Sequence, residues 1–507
     1  MAGTARAPVS LARVILAIDQ GTTGTTCLVF DRDGRIRGRA YSEFRQHFPR
    51  PGWVEHDATE IWDVTKRVAS HALADAKGDP ASLDAIGITN QRETVVAWDP
   101  ETGEPVHNAL VWQDRRTAAR CDELRDAGHE PLVRERTGLV LDPYFSGTKI
   151  EWLLRNVDAA REAVFGTIDS WLVFKLTGRH ATDLTNASRT MLFDIRELRW
   201  DPELCELLGV DPGRLPEPLP SAHTYGTTSE FGGEVPVAGI AGDQQAALFG
   251  QACQDAGMAK NTYGTGSFVL LNAGRTMPEP SDGLLTTIAW GLEDETDYAL
   301  EAAVFVTGAA VQWLRDGLGI VAEAAETEGM AASLESNDDV FFVPALTGLG
   351  SPHWDPYARG TIVGLTRGTT RAHLARAALE GIAYQTVDAV RAQERAAGAE
   401  LSELRADGGA VANRWLMQFQ ADVLGAPVIV PEIPETTALG AAYLAGIGAG
   451  FWDRDEVAGM WAEASRYEPR MAEAERADLV GRWREAVERA KGWARSEATG
   501  TDPDPNP

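Results

Sequence analysis

The sequence has few of the features that mark several large classes of protein. Its 507 residues include four cysteines, which form neither a CxxC pair nor a Cys/His zinc spacing: Cys27, Cys121, Cys205 and Cys253. In a chain of this length, so few scattered cysteines indicate a reducing compartment. We therefore expect neither a disulfide framework nor a structural zinc site.

Positive charge is also scarce. The chain has 47 Lys and Arg residues against 75 Asp and Glu residues, which gives a net charge of −28. Nucleic acids and anionic membranes both bind cationic protein surfaces, so we expect no nucleic-acid partner. The cause of the acidity stays open, since adaptation to high salt and a GC-rich genome would both produce it.

Long apolar runs are missing as well. The N-terminus has only a short apolar stretch before Asp19, too short for a signal peptide. The run at 438–452 is too short to span a bilayer and is rich in Gly and Ala, which favours a helix packed closely against its neighbours. The sequence therefore predicts a soluble, cytoplasmic protein without membrane insertion.

The common nucleotide-binding and hydrolase motifs are absent. There is no GxxxxGK[ST] segment, no HRD and DFG pair, and no GxGxxG after a predicted strand. HExxH and GxSxG are also missing. These absences argue against a P-loop enzyme, a protein kinase, a Rossmann dinucleotide site, a zinc protease of the HExxH type and an α/β-hydrolase.

What the chain does have is an alternation of strand and helix patterns, which is typical of an α/β fold. A helix is predicted to begin after Asp57, with Glu60 placed to complete a capping box. Helices are also predicted at 304–314 and 370–391, and a strand, a glycine turn and a helix at 404–425. Strands are predicted at 14–18, 27–30, 35–44, 85–89 and 94–98.

Two hairpins rich in Gly and Thr stand out, AIDQGTTGTTCLVF at 17–30 and NTYGTGSFVLLN at 261–272. Such turns let backbone N–H groups approach phosphate oxygens. One of them alone is most simply an ordinary hairpin, but two, together with DGGAVAN at 407–413, favour phosphate binding. Asp19 precedes the first turn and is a hard ligand suited to Mg²⁺. The recurrence predicts a duplicated domain with a cleft between the copies.

Two further segments carry candidate chemistry. Arg92 and Glu93 lie at a predicted strand-to-strand turn, and Asp243 and Gln244 open an apolar helix. Asp243 either caps that helix or, facing a γ-phosphate, accepts a hydroxyl proton during phosphoryl transfer.

Taken together, these segments resemble the FGGY carbohydrate kinases, of the superfamily of actin, Hsp70 and hexokinase. The resemblance runs from about residue 14 to about residue 490 and rests on DQGTTGTT, PGWVEHD, GITNQRET, DPYFSGTK, TNASRTMLF, GIAGDQQAALFGQ, KNTYGTGSF, GLGSPHWDPYARG, DGGAVAN and TALGAAYLAG. It implies an α/β protein of two ribonuclease H-like domains flanking a catalytic cleft. The implied domains are 14–252 and 253–490, followed by a flexible tail at 491–507.

The same resemblance implies a function. It is the ATP-dependent phosphorylation of glycerol to sn-glycerol 3-phosphate, the first step of glycerol catabolism, by a homodimer or homotetramer that uses ATP and Mg²⁺. Asp243 would be the general base, and Asp19 and Asp243 would hold Mg²⁺. The residues implied to bind glycerol are Arg92, Glu93, Trp112, Tyr144, Asp243, Gln244 and Phe268. Those implied to bind ATP are Thr22, Thr23, Gly24, Thr26, Thr265, Gly308, Gln312, Gly409 and Asn413.

Two positions depart from the pattern that the resemblance implies. Better-studied bacterial relatives carry Arg at the position of Thr26, near the ADP phosphates, so that charge must come from elsewhere or nucleotide affinity falls. Gly24 stands where Ser is common. Two alternatives also stay open: a sister FGGY kinase acting on another polyol or ketose, and a nucleotide-driven clamp in the manner of actin.

Overall fold

Short apolar runs bounded by Gly, Asp and Asn form most strands, and amphipathic segments form the helices between them. The computed structural model describes residues 13–76, 82–293 and 295–494, so most of the flexible tail predicted at 491–507 lies outside the described residues. We call residues 13–252 the N-terminal half and residues 253–494 the C-terminal half.

The N-terminal half alternates strands with helices. Its strands are β1 (Val14–Gln20), β2 (Gly24–Asp31), β3 (Ile36–Glu43), β4 (Gln46–His47), β5 (Glu55–His56), β6 (Leu83–Asn90), β7 (Val95–Trp98), β8 (Ala109–Leu110), β9 (Val164–Thr167), β10 (Ala181–Asp183), β11 (Phe193–Asp194), β12 (Arg199–Trp200), β13 (Glu217–Leu219), β14 (Ala222–Thr228) and β15 (Val235–Gly242). Its helices are α1 (Ala58–Asp75), α2 (Ala118–Asp126), α3 (Glu130–Thr137), α4 (Ser146–Asn156), α5 (Ile168–Thr177), α6 (Leu184–Ala187), α7 (Pro202–Leu207) and α8 (Asp243–Gly250).

The C-terminal half opens with a second hairpin and ends in helices. Its strands are β16 (Met258–Tyr263), β17 (Ser267–Gly274), β18 (Leu285–Leu292), β19 (Glu295–Val304), β20 (Phe341–Val343), β21 (Thr361–Val363), β22 (Glu403–Gly408), β23 (Val428–Pro431) and β24 (Glu463–Tyr467). Its helices are α9 (Gly308–Gln312), α10 (Glu326–Ala332), α11 (Arg371–Ala397), α12 (Arg414–Leu424), α13 (Thr436–Gly448), α14 (Arg454–Met460) and α15 (Glu473–Ala490).

One strand pattern occurs twice. In the N-terminal half the order is β3-β2-β1-β6-β15, with β2 antiparallel to both neighbours and β1, β6 and β15 parallel. In the C-terminal half the order is β19-β17-β16-β22-β23, with the same directions. Together with β14, β18 and β24 these strands make one 13-stranded sheet. The predicted duplication is therefore confirmed, and each copy begins with one of the two Gly/Thr hairpins.

Helix α13 comes from the C-terminal half but packs on the sheet of the N-terminal half. A Cβ atom added at Gly87 on β6 would lie 2.2 Å from the carbonyl oxygen of Ala441, and one at Gly239 on β15 would lie 2.1 Å from the backbone nitrogen of Ala445. Glycine therefore lets the helix touch the strands backbone to backbone. The close packing predicted for this Gly/Ala segment is confirmed, while the domain boundary at 252/253 stays a prediction.

Most of the predicted elements are confirmed, with two corrections. Asp57 caps α1 through the backbone N–H groups of Thr59 and Glu60, but the Glu60 carboxylate accepts from the Arg45 backbone instead of completing a capping box. The helix predicted to begin at Val304 begins at Gly308, because Val304 is the last residue of β19 and pairs with Ser267.

Two further predictions from the sequence concern disulfides and membrane-spanning helices. All four cysteines are buried, and none is in a disulfide. Within the residues that the structure describes, no helix combines the length and apolarity that a membrane span needs.

Candidate active site

The first Gly/Thr hairpin joins β1 to β2. Its tip is closed by a hydrogen bond from Gly21 N to Gly24 O at 2.9 Å, and Asp19 lies beside Thr26 in the strand register. A Cβ atom at Gly24 would lie 2.7 Å from Ser42 O and 2.8 Å from the Tyr41 ring. A side chain at position 24 would therefore collide with the ring of Tyr41, which occupies that space.

The turn between β6 and β7 presents Arg92 and Glu93. Gln91 anchors it to the first hairpin, since its backbone N donates to Gln20 O at 2.8 Å and its side-chain amide donates to Gln20 Oε1 at 3.1 Å. Glu93 has a φ of 62°, in the left-handed region that a side chain of this size adopts at a cost. Such strain is typical of functional turns, and here it aims the Glu93 carboxylate at a neighbouring guanidinium.

That turn forms part of a buried network of four charged side chains. The Arg92 guanidinium donates to both carboxylate oxygens of Glu301, at 2.5 and 3.2 Å, and Arg189 donates to Glu301 Oε1 at 2.9 Å. Arg189 also donates to Glu93 Oε1 at 2.7 Å. All four side chains are at most 2% exposed. Burial by itself would raise the pKa of Glu301, but Arg189 and Arg92 hold that pKa at about 2.

Asp243 lies at the exposed edge of this network. It is the first residue of α8, its Oδ1 lies 3.2 Å from Arg92 Nε, and a third of its side chain (33%) is open to solvent. Its Oδ1 also accepts from Gln244 N at 2.7 Å, whereas Oδ2 accepts no hydrogen bond from any residue that the structure describes. Gly242 is the N-cap residue, and Asp243 satisfies one first-turn N–H group through Oδ1 while its Oδ2 is left available, so both alternatives for Asp243 stay predictions.

Gln244 binds a buried lysine. Lys260 Nζ donates to Gln244 Oε1 and, at 2.9 Å, to Thr262 Oγ1, and the lysine side chain is fully buried. Burial lowers the pKa of Lys260 to about 8. Since Lys260 is on β16, this contact connects the second hairpin to α8.

Asp19 and Asp243 form a pair of carboxylates. Burial and the charge of Asp243 raise the pKa of Asp19 to about 7, so two negative charges at this place repel each other. A divalent cation would relieve that repulsion, and carboxylate oxygen is the ligand that Mg²⁺ prefers. The two residues therefore fit a Mg²⁺ ion, although no group of three or more His, Cys, Asp and Glu is arranged as a metal site among the described residues.

Aromatic rings form the walls beside the network. Trp112 donates from Nε1 to Thr22 Oγ1 at 2.9 Å, and its ring lies edge to face with Tyr144 at 5.5 Å. The Tyr144 ring is 5.9 Å from the Arg189 guanidinium, and the Phe268 ring is 5.9 Å from the Arg92 guanidinium. Burial raises the pKa of Tyr144, which keeps its phenol protonated as a donor.

The remaining predicted residues lie in the C-terminal half, around the second hairpin. Thr265 is exposed at the hairpin tip, where its carbonyl accepts from Thr307 N at 2.9 Å and Gly308 N donates to Gly264 O at 3.0 Å. Gln312 and Gly409 are exposed. Asn413 already has a structural role, because its Oδ1 accepts from Leu416 N at 2.9 Å and caps α12.

The structure thus brings the predicted residues into two groups. Asp19, Thr22 and the predicted glycerol-binding residues form one group with contacts between its members, beside the other predicted ATP residues of the first hairpin. The predicted ATP residues of the C-terminal half flank the second hairpin. Three charged residues of the site were not singled out from the sequence, namely Arg189, Glu301 and Lys260. Arg189 lies in TNASRTMLF and Lys260 in KNTYGTGSF, whereas Glu301 is the one charged residue in the apolar second half of β19, Tyr298–Val304. A charge between apolar neighbours in a strand is the signal that marks Glu301.

Comparisons with known proteins agree with this arrangement. The sequence matches the N-terminal domain of the FGGY family of carbohydrate kinases over residues 14–250 and the C-terminal domain over residues 259–449. It is 56% identical to glycerol kinase 2 of Thermotoga maritima over 95% of this chain and 99% of that protein. It is also 56% identical to the glycerol kinase of Deinococcus radiodurans, over 94% and 98% of the two chains.

Among solved structures, the glycerol kinase of Plasmodium falciparum with ADP superposes with a TM-score of 0.90. It is 36% identical in sequence, and the match covers 94% of this chain and 98% of the other. Both hairpins and all four residues of the charged network lie within the ranges that match the two family domains. The chain belongs to the FGGY family of carbohydrate kinases.

Proposed function

We propose that this chain transfers a phosphoryl group from ATP to glycerol and so makes sn-glycerol 3-phosphate at the start of glycerol catabolism. The observation that carries the proposal is the buried network of Arg92, Glu93, Arg189 and Glu301, which opens onto Asp243 at its exposed edge. Relatives named glycerol kinase, 56% identical over nearly their full length, support the choice of glycerol.

The network suits a small triol. Glycerol presents three hydroxyl groups, each of which both donates and accepts a hydrogen bond. Arg92 and the neutral phenol of Tyr144 supply donors, and Glu93 supplies an acceptor. Because the network fixes these groups before the substrate binds, little orientation remains to be lost on binding. Trp112 and Phe268 cover the carbon chain, and Gln244 lies beside Asp243. A substrate lacking a hydroxyl would leave buried polar groups unpaired, which selects strongly against it.

Asp243 would act as the general base. Its Oδ2 accepts no hydrogen bond within the described residues and is open to a substrate hydroxyl, while Arg92 Nε, 3.2 Å from Oδ1, holds the carboxylate in place. As the terminal hydroxyl attacks the γ-phosphate, Asp243 takes the hydroxyl proton, and the new O–P bond forms as the bond to ADP breaks. Asp19 and Asp243 would hold Mg²⁺, which neutralises charge on the phosphates when it is bound.

The hairpins would hold the nucleotide. Thr22, Thr23, Gly24, Thr26 and Thr265 belong to the two hairpins, and the backbone N–H groups of such Gly/Thr turns suit phosphate oxygens. Around the second hairpin, the exposed Gln312 and Gly409 and the partly buried Gly308 and Asn413 would take the nucleoside. We further propose a cytoplasmic homodimer or homotetramer, which light scattering on the purified protein tests directly.

The experiment that tests the reaction is an ADP-release assay with Mg²⁺-ATP and either glycerol or four- and five-carbon polyols and ketoses as acceptor. We expect glycerol to have the highest kcat/KM. A clear preference for a longer acceptor would overturn the glycerol assignment in favour of a sister kinase. Binding of ATP and glycerol without ADP release would instead favour a clamp.

Asp243→Asn tests the mechanism. We expect kcat to fall by about 10²- to 10⁴-fold, the usual contribution of a general base, because the amide cannot accept the proton. Glycerol affinity, measured by calorimetry, should change little. The matched control is Asp255→Asn, an exposed acid shortly after the same helix, which should leave kcat unchanged. A near-normal kcat in Asp243→Asn would remove Asp243 from the base role.

A further inference from the structure

A cavity of about 310 Å³ lies against the first Gly/Thr hairpin. Asp19 and Thr26 line one wall, Arg39 and Tyr41 on β3 line the next, and Glu435 and Thr437 at the start of α13 close it. Asp19 belongs both to this cavity and to the carboxylate pair with Asp243, so the cavity continues the proposed phosphate site.

The strand register explains why Arg39 reaches this cavity. On β2 and β3, Thr26 pairs with Tyr41 and Leu28 pairs with Arg39, so these side chains project from the same face of the sheet. Thr26 and Leu28 are two residues apart on β2, and Arg39 is therefore the diagonal neighbour of Thr26. A guanidinium on a long side chain spans that spacing easily.

Among the described residues that line the cavity, Arg39 is the one that carries a positive charge. The other cations of the site are already engaged, since Arg92 and Arg189 are bound to Glu93 and Glu301, and Lys260 donates to Gln244. Asp19 and Glu435 add negative charge to the same wall. An anionic phosphate chain entering here meets one available counter-charge, which is Arg39.

Arg39 is held loosely. Its guanidinium pairs with the Glu435 carboxylate, but the Arg39 side chain is 53% exposed and that of Glu435 is 25% exposed. Exposed ion pairs of this kind contribute little to stability. A phosphate group accepts two parallel hydrogen bonds from a guanidinium and carries more charge than a carboxylate. The Arg39 head group is therefore free to exchange Glu435 for a phosphate oxygen.

We propose that Arg39 binds the phosphate chain of the nucleotide and supplies the positive charge that Thr26 does not. The inference rests on the proposed function, in that it takes the ligand to be a nucleoside di- or triphosphate with its metal ion. Arg39 exchanges its partner from Glu435 to the phosphates, and the metal ion offsets Asp19.

The test compares the affinity for Mg²⁺-ADP, measured by calorimetry, in Arg39→Met and in a matched control, Arg37→Met. Arg37 is on the same strand, is 52% exposed and pairs with Asp31, away from the cavity. Arg39→Met should weaken ADP binding by about ten- to hundred-fold, as expected for the loss of a charge-assisted contact. Arg37→Met should change it by less than about twofold, given the small contribution of exposed ion pairs.

Two further variants separate binding from a merely structural role. If Arg39 and Glu435 only tie β3 to α13, Glu435→Gln will weaken ADP binding as Arg39→Met does. The proposal expects the opposite sign, because Glu435→Gln frees Arg39 and removes a negative charge from the cavity. Thr26→Arg should restore ADP affinity in the Arg39→Met background, because it returns a cation to the same face.

The outcomes are distinct. Equal ADP affinities in wild type and Arg39→Met, or parallel losses in Arg39→Met and Glu435→Gln, would overturn the proposal. These are binding measurements without an acceptor, so they stand apart from the glycerol assay. Wild-type ADP binding that depends on Arg39, combined with turnover of a different polyol, would overturn the glycerol assignment and keep the role of Arg39.

Discussion

Glu301 is the acid on which two buried arginines depend. It is 1% exposed, binds both Arg92 and Arg189, and keeps a pKa of about 2 because those guanidinium groups outweigh its burial. Arg189 Nη1 already lacks a hydrogen-bond partner within the described part of the chain. With Glu301 neutral, the two buried cations would be left with Glu93 and the partly exposed Asp243.

We therefore expect Glu301→Gln to lower the free energy of unfolding by about 3–5 kcal/mol, the usual cost of breaking a buried ion pair on one side. Glycerol KM should rise with it, because Arg92 loses the partner that fixes its position. The measurements are urea unfolding and steady-state kinetics. The control is Glu295→Gln on the same strand, an acid 43% exposed and paired with Arg275, which should cost less than about 1 kcal/mol. Equal stability of both variants would contradict the assigned role of Glu301.

The sequence predicted part of this site well and part of it poorly. Arg92, Glu93 and Asp243 stand at element boundaries, where a polar residue between apolar runs is conspicuous, and the structure brings them together. Glu301 lies inside β19 and Arg189 lies in the turn after α6, and Glu301 binds partners 112 and 209 residues distant. Such pairings depend on the tertiary fold, so no local pattern predicts them. Which of the residues bind ligands stays a prediction.

At the scale of elements, a lysine in α4, Lys149, holds the loop that precedes this helix. Lys149 is fully buried, and its ammonium donates to three successive carbonyls, those of Pro143 at 2.6 Å, Tyr144 at 2.8 Å and Phe145 at 3.3 Å. The lysine thus ties the backbone of Tyr144 to the first turns of α4. This is a positioning role, since the ammonium faces carbonyl groups of the loop.

Lys149→Met should leave those carbonyls without donors, at about 1–3 kcal/mol for an unsatisfied buried group. We expect glycerol KM to rise severalfold while ATP KM stays the same, because the loop holds Tyr144 and not the nucleotide. Lys175→Met is the matched control, as that lysine reaches a single loop carbonyl, Gly103 O, at 3.5 Å from another helix. Parallel changes in both KM values would show general damage instead of a local effect on Tyr144.

Lys149→Met should also change how the free energy of unfolding depends on pH. Burial lowers the pKa of Lys149 to about 8 from an ordinary 10.5, so between these values the folded protein binds fewer protons than the unfolded chain. The contribution of Lys149 to the free energy of unfolding therefore rises with pH across that window, by up to about 3 kcal/mol. Below pH 8 the buried charge costs stability. Lys149→Met should lack this rise when unfolding is measured from pH 8 to pH 10.

The helices and strands were predicted correctly where the apolar residues recur with a strong periodicity. The prediction failed where pairing with a neighbouring strand decides where an element ends. The strands around both hairpins and helix α11 follow their sequence patterns closely. Val304 continues β19 because Ser267 on β17 pairs with it, and a helix-like apolar spacing carries no information about that strand. Two-residue strands such as β4 and β5 form only because each has a neighbour to pair with.

At the scale of the whole molecule, α13 joins the two halves. A Cβ atom at Gly440 would lie 1.8 Å from the Ala246 carbonyl oxygen on α8. Helix α8 begins at Asp243, the proposed base. A shift of α13 at this contact would therefore displace α8 and Asp243 with it. A side chain larger than glycine at position 440 would therefore force α8 and α13 apart.

Gly440→Ala should therefore lower the free energy of unfolding by about 1–3 kcal/mol or more, as overpacking does. It should also lower kcat, because α8 must shift. Gly481→Ala provides the control, since that glycine is within α15 with nothing inside 4 Å of the added Cβ. That variant should be more stable by up to about 1 kcal/mol, from helix propensity. Unfolding and kcat are measured on both, and a neutral Gly440→Ala would contradict the close contact.

The Arg92–Glu301 ion pair also limits which recombinants between diverged genes of this family can fold. Each half has its own hairpin and its own sheet pattern, as expected of a gene that was once doubled. Yet the pair joins β19 of one copy to a turn of the other, across 209 residues. A crossover between the halves of two diverged genes would leave a buried guanidinium or carboxylate unmatched unless both parents kept the pair. The sequences of the two copies can diverge at most positions, but Arg92 and Glu301 must be retained together.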